Sequence, residues 1–189
     1  MKKINTFLAA CLVIFLVACE GPAGPPGFDG LDGLDGRDGL DGVNVTGQII
    51  DIEGTFSEAN EFAIFFEFPQ TIEVFDTDVV LVYLLFEQLE DSQGGAPIDV
   101  WRLLPQTRIL DQGLLQYNYD HTFLDVNIFL ESDFDLTTLP AGDTDNQVFR
   151  IAVIPADDLA NGRMDTSNVN AVMGLLGVEE SAIQKITLE

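Results

Sequence analysis

Positive charge is scarce in this chain. Its 189 residues carry 8 Lys and Arg against 32 Asp and Glu, a formal net charge of −24. From Val45 onward five basic side chains (Arg102, Arg108, Arg150, Arg163 and Lys185) stand among 26 acidic ones. Nucleic acid and anionic lipid surfaces recruit proteins through basic patches, so neither is expected as a charge-driven partner. Cysteine is nearly absent as well. Cys11 and Cys19 are the only two, and Cys11 lies in an apolar leader. A processed chain would keep one thiol and form no internal disulfide. Its folded part must be stable by packing alone. Histidine is limited to His121, which has no histidine partner for a metal site and no accompanying nucleophile motif for a triad.

Apolar residues are plentiful. The chain holds 14 Phe and long Val/Ile/Leu runs. The 145 residues after Asn44 suit one domain of ordinary size, large enough to bury a core.

Residues 1–18 read as a targeting segment. Lys2 and Lys3 form a positive n-region, and residues 7–17 form an apolar run too short for a spanning helix. The run ends Leu16-Val17-Ala18-Cys19. This resembles the lipobox of bacterial lipoproteins at all four positions. The resemblance implies acylation of Cys19 and cleavage that leaves it as the new N-terminus. Acyl chains, at about 0.8 kcal/mol per buried methylene, give lasting attachment to a membrane. Glu20 follows, where an aspartate is associated with inner-membrane retention in some lipoproteins. The outer membrane is therefore the expected location, with the leaflet open.

Glycine then falls at every third position: Gly21, Gly24, Gly27, Gly30, Gly33, Gly36, Gly39 and Gly42. Eight unbroken Gly-X-Y triplets resemble the collagen-like segments of bacterial surface proteins, in which only glycine fits the crowded axis of the triple helix. The composition departs from collagen in two ways. Proline occurs only at Pro22, Pro25 and Pro26, and the Y position is aspartate five times (Asp29, Asp32, Asp35, Asp38, Asp41) against one Arg37. Three chains in register would gather 15 carboxylates and three guanidiniums. Two readings stay open: a triple-helical stalk in a homotrimer, or an extended acidic spacer in a monomer. At about 3 Å per residue, residues 21–44 reach on the order of 70 Å.

Residues 45–189 are dominated by period two. Strands are expected over 45–52, 61–68, 78–86, 98–104, 114–119, 122–130, 148–154 and 182–188. Residues 78–86 are apolar on both faces, the mark of a central strand covered on both sides. Phe62, Ile64, Phe66 and Phe68 share one face, as do Leu124, Val126, Ile128 and Leu130. Val169, Val172, Met173 and Leu176 follow helical spacing, with Thr166 or Ser167 as cap and Gly177 as stop. The expected fold is mainly β: an antiparallel β-sandwich of jelly-roll or Greek-key type with one short C-terminal helix, preceded by the collagen-like stalk.

Several residues in this body could carry binding. Trp101, Tyr117 and Tyr119 offer a candidate aromatic platform for a sugar or protein, with core packing as the competing role. Three Asp-x-Asp pairs occur: Asp76/Asp78, Asp133/Asp135 and Asp143/Asp145, the last followed by Asn146. Asp143, Asp145 and Asn146 form a candidate calcium set, although none of the three pairs has EF-hand spacing. Otherwise no cofactor is expected. Arg102 and Arg150 sit within strands and should each pair with a carboxylate.

Taken whole, the layout resembles bacterial lipoproteins in which a collagen-like segment precedes a β-rich domain. The resemblance is specific for residues 16–44, and it carries over anchoring and display but no catalytic residue. The order of anchor, spacer and sandwich, with no catalytic motif, leads to the expectation of a lipid-anchored, non-enzymatic protein that presents a sandwich over residues 45–189 to a glycan or protein partner. The alternative is a surface glycan hydrolase using a carboxylate pair.

Overall fold

The computed structural model describes residues 47–156 and 165–188. Cys19, the eight repeat glycines and Arg163 lie outside the described residues. The body is a β-sandwich, with sheet order β4-β3-β8-β1-β9 in one layer and β2-β7-β6-β5 in the other. The strands are β1 (Gln48–Gly54), β2 (Ala63–Glu67), β3 (Val79–Leu89), β4 (Ile98–Leu103), β5 (Gln106–Leu110), β6 (Gly113–His121), β7 (Asp125–Ser132), β8 (Gln147–Ile154) and β9 (Gln184–Thr187). Among the described residues no helix is long and apolar enough to cross a membrane.

The four-stranded sheet has the Greek-key order: β5, β6 and β7 form a meander, and β2 returns beside β7 through the other layer. All pairings are antiparallel except one. β9 runs parallel to β1, with Asp51 opposite Lys185. β1 lies between β8 and β9 in the sheet, and the chain passes from β8 to β9 by way of a helix.

Strand alternation divides the side chains of the five-stranded sheet. Ile50, Ile52, Val80, Val82, Leu84, Phe149, Ile151 and Val153 point into the sandwich, where they meet Ile64, Phe66, Leu115, Tyr117, Val126 and Ile128 of the other sheet. Ile49, Leu81, Tyr83, Ala152 and Ile154 point outward and would be exposed, but an amphipathic helix covers them. Two α segments are described, α1 (Ala141–Thr144) and α2 (Val169–Leu176). α2 supplies the cover through Val169, Val172, Met173 and Leu176, the helical spacing visible in the sequence. Asn168 caps it, accepting from the amides of Asn170 and Ala171 in place of the expected Thr166 or Ser167. Gly177 ends it in the left-handed region at φ 64°. The result is three layers: helix, sheet, sheet.

Three elements differ from expectation. β5 has no counterpart among the expected strands, because Pro105 reads as the end of a strand. Here it marks the point where the chain leaves one sheet and enters the other, and Thr107 and Ile109 alternate with Arg108 on the new strand. β7 begins at Asp125, so Leu124 lies in the turn after β6 and is 57% exposed rather than sharing the buried face. That turn is closed by Thr122, whose amide donates to the Asp125 carbonyl at 2.9 Å and whose hydroxyl donates to the Asp125 carboxylate at 2.9 Å. The connection over 132–147 holds α1 and a short 3-10 turn at Leu136–Thr138.

Candidate functional site

The expected aromatic platform is split by the fold. Tyr117 is fully buried between the sheets, and its hydroxyl donates to the Asp143 carbonyl at 2.8 Å. Burial pushes its phenol up to about 12, with the nearby Asp143 charge adding to the rise. Tyr119 packs against the same core and donates to the Val80 carbonyl at 3.1 Å. Trp101 belongs to the opposite, helix-covered face of the five-stranded sheet. Alternation on β6 sends both tyrosines inward, and alternation on β4 sends Trp101 outward, so the three cannot share one ligand.

The candidate calcium set is also divided. Asp143 is 3% exposed and its carboxylate is ion-paired with Arg108. The Asp145 carboxylate accepts from the Thr144 hydroxyl at 2.8 Å. Asn146 sits in the left-handed region at φ 51° and its amide donates to Thr55. Asp143 is thus neutralised by a guanidinium and not left for a cation. The other pairs serve turns: Asp78 accepts from the Phe75 amide, Asp133 from the Leu114 amide, and Asp135 from the Thr137 amide. The first closes the turn before β3, the second ties the start of β6 to the end of β7, and the third caps the turn at Leu136. Gly113 is obligatory there, at φ 147° with the Asp133 carboxylate where a Cβ would stand. Among the described residues no group of three His, Cys, Asp or Glu is placed to hold a metal. His121 closes β6 and stacks on Tyr119 with ring centroids 6.2 Å apart.

Trp101 leads to a different constellation. Successive rows cross the outer face of the five-stranded sheet. One row runs Leu103, Tyr83, Arg150, Asp51, Lys185. The next holds Trp101 beside Leu85 on one flank, and Val148, Glu53 and Thr187 on the other. Arg150 is 1% exposed, at the middle of the central strand β8. Its Nε and Nη2 donate to the two Asp51 oxygens at 2.7 and 2.9 Å. Its Nη1 and Nη2 donate to the two Glu180 oxygens at 2.8 and 2.6 Å. Its Cζ stands 4.2 Å from the centroid of the Trp101 ring. One guanidinium therefore satisfies two carboxylates and fixes the indole. Burial alone would depress its ionisation, but the hydrogen bonds and charges of Asp51 and Glu180 outweigh that and hold it above its ordinary value.

Two hollows meet at Trp101. One, of about 230 Å³, is lined by Trp101, Leu85, Gln88, Asp99, Glu53 and Lys185 among others. The second, of about 450 Å³, lies on the side of α2 and shares Asp99 and Trp101. Together they form a trough across the sheet face, with indole and aliphatic surface in its wall and amide, carboxylate and ammonium groups at its rim. Gln88 Nε2 donates to Asp99 at 2.7 Å and orders that rim. A β-bulge between Leu85 and Glu87 sits opposite Trp101. Phe86, between them, packs on the inner face against Arg102, whose Cζ is 3.4 Å from the ring centroid. Arg102 is thus stacked on an aromatic ring and has no carboxylate within ion-pair distance among the described residues, contrary to expectation. A larger recess of about 540 Å³ lies beside β2, lined by Ser57, Asn60, Phe65 and Leu188 among others. No charged side chain enters its lining, and the trough offers the richer chemistry. No family model, curated protein or solved structure matches this chain.

The ion cluster gives the protein an acid-sensitive contact. Hydrogen bonds from Arg150 hold the Glu180 carboxyl below its ordinary value, and the charge of Lys185 adds to the effect. A carboxyl depressed in the folded state stabilises that state above its unfolded value and loses this contribution as the pH falls through the folded value. Glu180→Gln should therefore lower the melting temperature at pH 7, and the gap from the native protein should close as the pH drops below about 4.5. Melting curves of both proteins across that range check it. A gap that is the same at both ends would remove the ion pair as its cause.

Proposed function

We propose that this protein is a lipid-anchored, non-enzymatic display protein whose sandwich binds a glycan in the trough at Trp101. The anchor and spacer rest on the lipobox ending at Cys19 and the eight Gly-X-Y triplets, and they imply the outer membrane, with homotrimers as one form of the stalk. The binding half rests on a single observation: an immobilised indole in a trough whose rim carries Gln88, Asp99, Glu53 and Lys185. Sugars present an apolar C–H face and a polar edge, and sites that take them pair an aromatic ring with a few fixed polar groups.

The hydrolase alternative is less well supported. A glycosidase needs one carboxyl with a raised pKa as general acid and a second, independent carboxylate. Of the acids at the trough, Asp51 and Glu180 share one guanidinium, and Glu180 is shifted downward.

Two experiments test the two halves. Cys19→Ser should abolish incorporation of labelled fatty acid and release the protein from membranes, and continued membrane partition would contradict the anchor. Calorimetric titration across a panel of neutral, amine-bearing and carboxylate-bearing oligosaccharides should find a ligand whose affinity falls at least about tenfold in Trp101→Ala. Binding that is unaffected by this change would place the ligand elsewhere, and turnover of any member of the panel would favour the hydrolase.

A further inference from the structure

The charge around the trough discriminates among glycans. Four carboxylates line it (Asp51, Glu53, Asp99 and Glu180), against two cations, Arg150 and Lys185. Arg150 is fully engaged by Asp51 and Glu180. Glu53 and Asp99 carry no ion pair among the described residues. Trp101 already accepts one cation over its ring, which is the interaction an aromatic face offers to an ammonium group. The wider field points the same way, with 26 acidic against five basic side chains from Val45 onward. Anionic sugars are repelled by this lining and neutral sugars gain nothing from it.

We propose that the trough takes an amino-sugar polymer, whose hexosamine units carry free, protonated amines. The assignment rests on the glycan reading of the same site. Asp99 lies on β4 and Glu53 on β1, with β3 and β8 between them. Three strand spacings separate them, about 14 Å, room for more than one sugar unit. Successive units lie along the trough with a ring against Trp101, one ammonium at Asp99 and another at Glu53. A basic peptide shares the charge, but its flexible side chains lack the flat apolar face that the indole meets.

Calorimetry on the full-length protein in detergent tests this, with short glucosamine oligomers, their N-acetylated counterparts and oligolysine of equal charge. The titration is run at pH about 6, where most of the oligomer's amines are protonated. The glucosamine oligomer should bind at least about tenfold more tightly than the acetylated one. That ratio should collapse in about 0.5 M salt, where charges are screened beyond about 4 Å. It should also collapse in the E53Q/D99N double variant. Equal binding of the acetylated and free-amine oligomers overturns the charge selection and leaves the glycan reading standing. Absence of binding by either overturns the amino-sugar assignment, and binding of another sugar of the panel at Trp101 would leave the glycan reading standing. Oligolysine binding as tightly as glucosamine, or a preference that persists in E53Q/D99N, reduces the interaction to bulk charge and overturns the amino-sugar assignment.

Discussion

Replacing Arg150 with methionine is expected to destabilise the body by about 3–5 kcal/mol. The reason is the state in which it leaves Asp51. That carboxylate is 3% exposed and both of its oxygens accept from Arg150. Without the guanidinium it is a buried charge with no counter-ion. Glu180 suffers less, because its side chain is 59% exposed and water can take over its oxygens. For a body of this length the loss corresponds to a fall in melting temperature of about 10 °C or more. The paired variant R150M/D51L removes both buried charges and should recover most of the loss, since well-packed apolar groups often match a buried ion pair. Denaturant unfolding of both variants checks the pair. A single-variant cost below about 1 kcal/mol, or no recovery in the double, would mean that the cluster does not hold the sheet face together.

The second large effect belongs to Phe56, which lies in the loop after β1 and is 2% exposed. Its ring meets Tyr117 at 6.1 Å and Phe149 at 6.0 Å, both edge-on. It thus packs between the two sheets, and its amide donates to the Thr144 carbonyl at 2.9 Å, tying α1 to the sandwich. Phe56→Ala should cost about 3–5 kcal/mol through lost burial plus the cavity left behind. Phe65→Ala is the control. Phe65 is 59% exposed on the outer face of β2 and should cost less than about 1 kcal/mol. Since a domain of this size is stable by only about 5–15 kcal/mol, urea midpoints separate the two variants plainly. Similar midpoints would show that Phe56 does not seal the core.

The alternation of Ile64, Phe66 and Phe68, the two-sided apolar run of β3 and the helical spacing from Val169 to Leu176 all made the sandwich and its covering helix legible in the sequence. These are short-range patterns, and they survive because burial of each face rewards them directly. The site was far less legible. Trp101 stood out as a lone tryptophan, but which sheet face received it depended on pairing between distant strands. Asp51, Arg150 and Glu180 come together from β1, β8 and the segment after α2, and their sequence separations of 99 and 30 residues leave no local trace. The acidic pairs have partners that the sequence does not show. Asp133 and Asp143 look like cation ligands in sequence, and the fold spends them on a backbone amide and on Arg108. An excess of carboxylates makes such pairs common by composition alone.

Trp101 is the chain's single tryptophan, so its emission reports from the proposed site alone. Fluorescence titration of the full-length protein with glucosamine oligomers is the most direct measurement of the central claim. The emission should change saturably with a midpoint that matches calorimetry, and the change should be lost on adding salt. Binding seen by calorimetry with an unchanged tryptophan signal would contradict the claim.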